Sequence, residues 1–145
     1  MSNLQIGRYR ALKEGELAEH PCLADDYNSY CYVITQTYSY QAKNGKTIIV
    51  PERFLSDGAT GFQDLGCAFV FHDWLYSTGR YADNSVCTRF EADMIMVEIS
   101  HLENFKTFSK LMSWMAKLDP VGIMGRAFLA SQKRGPNFLP EDIEL

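Results

Sequence analysis

Polar and apolar positions alternate through the first third of the chain and recur at helical spacing through the rest, so strands are expected first and helices after. Leu4 to Leu12 alternates enough for an edge strand, whereas Glu14 to Asp26 is polar, broken by Pro21, and reads as a loop or short irregular helix. From Tyr30 to Tyr40 the run YCYVITQTYSY sets aromatic and β-branched residues against polar ones, the period of a half-buried strand. Asn44-Gly45 tolerates positive φ and predicts a hairpin turn. Thr47 to Val50 forms the returning strand, and Pro51, lacking a ladder donor, ends it.

Ser56 to Gly61 is an irregular turn, because Gly58 and Gly61 both supply permissive backbone. Asp64 suits the N-cap of a helix running through about Ser77 and stopped by Gly79. After the polar connection Arg80 to Val86, Thr88 and Glu91 form a capping box for a helix from Arg89 to about Glu103. Thr107 caps a third helix through Leu118, in which Phe108, Leu111, Met112 and Met115 recur at helical spacing. Asp119-Pro120 then reads as a cap with proline at the first helical position of a fourth helix, Val121 to Ala130. The expected architecture is a single α+β domain over 1–134. Its N-terminal strand and hairpin make a small antiparallel sheet, three to four helices follow, and 135–145 forms a C-terminal tail.

Length and charge narrow this picture. A chain of 145 residues builds one core more comfortably than two. A net charge of -4 argues against a large electropositive footprint and so against nonspecific nucleic-acid binding, though a local basic pocket stays open. No apolar run reaches the length of a transmembrane segment, and Met1 to Arg10 lacks the regions of a secretory signal, so a soluble, intracellular protein is expected. Cys22, Cys31, Cys67 and Cys87 lack CxxC or scaffold spacing and read as reduced thiols, Cys67 and Cys87 as small buried residues. His20 with Cys22 and Cys31 has no fourth ligand at zinc spacing and reads as ordinary loop. Tyr38, Tyr40 and Phe62 are candidates for exposed aromatics at an interface, although scattered surface aromatics need no such explanation.

Candidate chemistry concentrates between Phe54 and Tyr76. Ala68, His72 and Tyr76 fall on one helical stripe, with Asp73 one position round. Adjacent helical residues do not face each other, so Asp73 points elsewhere, towards a cation or substrate, and an orienting carboxylate for His72 must come from another element. Asp93, in the largely apolar run FEADMIMVEI, is the leading candidate, since a carboxylate beside a buried face needs a partner. The alternative is that Asp93 faces water or bonds Tyr76 or Arg89 structurally. Asp57 and Asp73 with nearby loop carbonyls offer the oxygen donors that calcium takes. The same loop makes an ordinary turn if Asp57 bonds backbone amides, and the loop chemistry favours that turn. No GxGxxG, GxxxxGK or GxSxG pattern is present.

Several separated motifs stand in order: IIVPERFLSDGAT, AFVFHDWLY, and an Ala92-Asp93 pair before an apolar run. Together they resemble the phage and bacterial family known as domain of unknown function 1353. The likeness rests on Val50, Pro51, Phe54, Ser56, Asp57, Ala59 and Thr60, then His72, Asp73, Leu75 and Tyr76, then Ala92 and Asp93, and covers Ile48 to Ile99. Arg53 stands where that family usually has glycine, and Gly61 replaces a common proline. The HDxxY helix with a partner aspartate is also similar to phospholipases that cleave the sn-2 ester. That similarity implies that His72 activates water, that Asp73 binds calcium and that Asp93 orients the histidine, although the YGxGN-type calcium loop is missing.

Two readings follow. In one, the chain is a metal-assisted, hydrolase-like domain acting on a lipid or small-molecule ester, with His72 and Asp93 catalytic and Asp57, Asp73 and Tyr76 lining a ligand or cation site. In the other, it is a non-catalytic phage accessory protein, a virion component or a binder of a host protein or small ligand, and the His/Asp cluster is structural. Either way the phage-type resemblance implies the host cytoplasm or the virion as its location.

Overall fold

A computed structural model of the chain describes residues 3–13, 16, 32–56, 67–119 and 122–145. The loop residues Asp57, Gly58 and Gly61, the expected cap Asp64, and Phe62, His20, Cys22 and Cys31 lie outside the described residues. The architecture is α+β: two antiparallel three-stranded sheets followed by four helices among the described residues.

Two predicted strands each prove to be two. The N-terminal run divides into β1 (Leu4–Gln5) and β2 (Arg8–Ala11), and the aromatic run into β3 (Tyr32–Gln36) and β4 (Tyr38–Gln41). With β5 (Thr47–Val50) and β6 (Leu55–Ser56), the sheet orders are β1-β4-β5 and β2-β3-β6. Both runs therefore change sheet midway, at Gly7 and Thr37. The crossing is tight enough that a Cβ on Gly7 would stand 2.0 Å from the Gln36 carbonyl oxygen, so only glycine fits without backbone movement. A period-2 pattern continues through such a corner, which is why the sequence reads as unbroken.

The hairpin forms at the expected place. Gly45, at φ 82, follows a turn in which its amide donates to the Ala42 carbonyl, while Ala42 and Lys46 close the ladder at 2.8 Å. In register, Tyr38 faces Val50 and Tyr40 faces Ile48. These four side chains are buried and form the inner face of their sheet, so Tyr38 and Tyr40 are core residues and not exposed interface aromatics. The Tyr40 hydroxyl still finds a partner, donating to Glu98 at 2.9 Å.

The helices are α1 (Ala68–Thr78), α2 (Arg89–Leu102), α3 (Lys106–Leu118) and α4 (Ile123–Arg134). α1 ends at Gly79 as expected, and α2 carries the full Thr88–Glu91 capping box. Thr107 does not cap α3, which starts one residue earlier with Phe105 in the cap position. Asp119 is not the cap of α4: it closes α3 at φ 38, the N-cap of α4 is Gly122, and Pro120 and Val121, expected to open the helix, lie outside the described residues. The Asp119 carboxylate still accepts from the first-turn amides of Met124 (2.8 Å) and Gly125 (3.2 Å). Helix α1 is the hub, packing against α2, α4, β5 and β6.

Residues 135–145 are fastened to the sheet side of the molecule. Leu139 is buried with Val33 and Leu55 in a second small cluster, on the opposite face of β3 from Ile34 and the main core. Leu55 donates its amide to Asn137, and Leu139 donates to Arg53. Arg53 sits at φ 72, a left-handed conformation that costs a side chain about 1 kcal/mol. Its guanidinium offsets this by donating to the carbonyls of Pro140 and Ile143, both at 2.9 Å. A position that suits glycine by conformation is thus held by arginine, which anchors the C-terminal segment.

Candidate functional site

Helix α1 is nearly surrounded, so its polar side chains find partners in neighbouring elements. His72 and Tyr76, four residues apart on one stripe, both reach α2 and meet at Asp93. His72 Nε2 lies 2.9 Å from Asp93 Oδ1, and the Tyr76 hydroxyl donates to the same oxygen at 2.5 Å. The two rings are 4.0 Å apart between centroids. Arg89, one turn before Asp93 on α2, donates Nη1 to Asp93 Oδ2 at 2.8 Å and also to the Ala116 carbonyl of α3 at 3.0 Å. Of the partners the sequence offered for Asp93 as alternatives, His72, Tyr76 and Arg89 all bind it at once.

Asp93 is fully buried, at 0% exposure. An isolated carboxylate there would be strongly disfavoured, and three donors, one of them a guanidinium, compensate for the lost water. This donor set suits a carboxylate, which accepts at both oxygens, with the His72 proton on Nε2. Burial pushes the Tyr76 phenol well above its ordinary range, and the neighbouring Asp93 adds to the shift, so Tyr76 stays a donor. Among the described residues, Nδ1 of His72 has no hydrogen-bond partner. The His72 side chain keeps 17% of its surface exposed. The arrangement can therefore take a proton at Nδ1 and stabilise the resulting imidazolium through Asp93.

Asp73 goes the other way, as its place on the helix demands. Its Oδ2 accepts from the Ser56 hydroxyl at 2.5 Å, tying α1 to β6. Ser56 is buried, so the end of β6 is fixed against the helix. Sequence reasoning quoted Ser56 within a motif and gave it no role. The signal available was a hydroxyl at the end of a short strand facing the one acidic position of α1.

No group of three or more His, Cys, Asp or Glu side chains gathers at a metal-binding distance among the described residues. Asp73 alone does not make a calcium shell, and Asp57 lies outside the described residues. Cys67 and Cys87 are both buried free thiols. The Cys67 amide donates to Glu103 at 2.9 Å, which sets a carboxylate at the N-terminus of α1. Comparison with family models, with curated proteins and with solved structures finds no match to this chain.

Proposed function

We propose that His72 and Asp93 form the proton-handling pair of a water-activating, ester-cleaving site, with a layout similar to that of sn-2 phospholipases. One observation carries this reading: a fully buried carboxylate holds Nε2 of a partly exposed histidine and leaves Nδ1 without a partner among the described residues. His72 is the general base towards water, and Asp93 and Tyr76 position its ring. We assign Asp73, with Asp57 next to Ser56 in the sequence, to the cation or substrate role, and the substrate is a lipid or a small ester. General-base assistance of this kind contributes roughly 10²–10⁴-fold to a rate. The motif resemblance to the phage family supports a phage-type accessory role in the host cytoplasm or the virion.

A second reading is favoured by a different contact, the Arg89 Nη1 bridge between Asp93 and Ala116, which joins the node to a third helix. In it the cluster is a buried polar network that fixes the helices of a non-catalytic binding or virion protein. Turnover of a phospholipid and ester panel, with and without calcium, separates the two. The catalytic reading expects activity in the wild type and its loss in His72→Ala and Asp93→Asn at unchanged fold. No turnover of any substrate, with both variants losing only thermal stability, would leave the structural reading standing.

A further inference from the structure

We infer that α3 is a docking surface for an anionic lipid bilayer, on which the helix lies in the plane of the interface. Its inward strip is narrow: Ser109, Met112 and Ala116 are its buried residues, and it packs chiefly against α2. Leu111, one of the apolar residues at helical spacing, lies outside with 46% of its surface exposed, beside Trp114 at 57% and Leu118 at 58%. At about 100° per residue these three share an arc of about 60°, and Lys106, Lys110 and Lys117 share a neighbouring arc of about 40°. All three lysines are exposed, and the helix contains no aspartate or glutamate.

Charge complementarity selects the occupant. Residues 106–134 carry six basic side chains (Lys106, Lys110, Lys117, Arg126, Lys133, Arg134) and one acidic, Asp119, a local balance of +5. The whole chain is at -4, so the remainder stands at -9, and α3, α4 and their connection are basic against an acidic background. An apolar stripe bordered by lysines is poor material for a protein interface, whose core is depleted of lysine. It fits a lipid headgroup layer, where tryptophan sits at the boundary, leucine enters the acyl region and lysine stems extend to phosphate. No helix among the described residues is long and apolar enough to cross a membrane, so the contact is one of lying on the bilayer. This surface is independent of the catalytic reading, since lipid binding is measured without turnover.

The test is co-sedimentation of the full chain with vesicles of phosphatidylglycerol or of phosphatidylcholine. Expected is at least tenfold stronger partition onto phosphatidylglycerol, weakening as salt is raised. Each lysine near an anionic surface contributes about fivefold, so the Lys106→Glu, Lys110→Glu, Lys117→Glu triple variant loses roughly a hundredfold or more. Leu111→Ser with Leu118→Ser loses at least tenfold, and because these sites are exposed both variants keep the wild-type unfolding temperature. Equal partition onto the two vesicle types, or none, overturns the proposal. So does self-association in sedimentation velocity that buries Trp114 and is abolished by Leu111→Ser with Leu118→Ser, which would make a second copy the occupant.

Discussion

Helices α1 and α3 are of similar length, 11 and 13 residues, and are built for opposite surroundings. Seven residues of α1 are buried, and its His72, Asp73 and Tyr76 are each bonded to another element. Three residues of α3 are buried, and its lysines stand in solvent. The cause is packing position. α1 has neighbours on the sheet side and the helix side, so any polar group on it must be paired at the cost of geometric freedom. α3 has one principal neighbour, so its outward face is released for charge and for exposed apolar surface. Positional precision, which proton transfer needs, belongs to the first helix, and surface attraction, which needs no precise partner, belongs to the second.

If the comparison holds, the largest single effect comes from the node under α1. Asp93→Ala strands a partly buried guanidinium, an imidazole and a phenol together, and should cost about 3–5 kcal/mol of unfolding free energy in urea. Removal of a charge from α3, Lys110→Ala, should stay within about 0.5 kcal/mol. A loss below about 1 kcal/mol for Asp93→Ala would mean that the node is loosely held and that the contrast fails.

Next in size is a pair of identical substitutions. Leu75 on α1 is 0% exposed, and Leu75→Ala should cost about 2–5 kcal/mol through lost transfer energy and a residual cavity. Leu118→Ala on α3, at 58% exposure, should fall within about 0.5 kcal/mol. Thermal or denaturant unfolding reads both, and equal losses would show that the face of α3 is covered in the isolated protein.

What the sequence disclosed tracks how local each feature is. The Asn44-Gly45 turn, the Thr88–Glu91 capping box and the Gly79 stop are set by a few adjacent residues and could be read from them. The proximity of His72 and Asp93 was readable because a carboxylate in an apolar run demands a partner. The sheet change at Gly7 and Thr37 was not, because the reason for glycine is a carbonyl 29 residues away, at Gln36. Arg53 likewise gives no hint of a left-handed backbone, since the carbonyls that hold it come from the other end of the chain. The exposure of Leu111 was not readable, because helical spacing reveals an apolar stripe and not how many neighbours cover it. Arg89 was visible one turn from Asp93, yet its second bond, to the Ala116 carbonyl, depends on where α3 ends.

The smallest effect at neutral pH concerns the Tyr76 hydroxyl, and it tests the pairing rule on α1 directly. Tyr76→Phe keeps the ring against Phe128, edge-on at 5.1 Å between centroids, and removes one of three donors to Asp93. Because Arg89 and His72 remain, the expected cost is about 1–1.5 kcal/mol, far below that of Asp93→Ala. The pH dependence then sharpens it. Burial, with Asp93 alongside, raises the folded-state pKa above the ordinary tyrosine value of 10.0, so the neutral phenol is the form that folding favours. Its contribution is complete below about pH 10 and declines as pH rises beyond, by up to about 1.4 kcal/mol per unit. Burial shifts Tyr38, Tyr40 and Tyr81 in the same direction, so the wild type should lose stability steeply on the alkaline side. Tyr76→Phe should make that decline shallower by one tyrosine's share without abolishing it. Urea midpoints between pH 8 and 11 measure the slope, and an unchanged slope would mean that Tyr76 ionises as freely folded as unfolded, contrary to its buried place on α1.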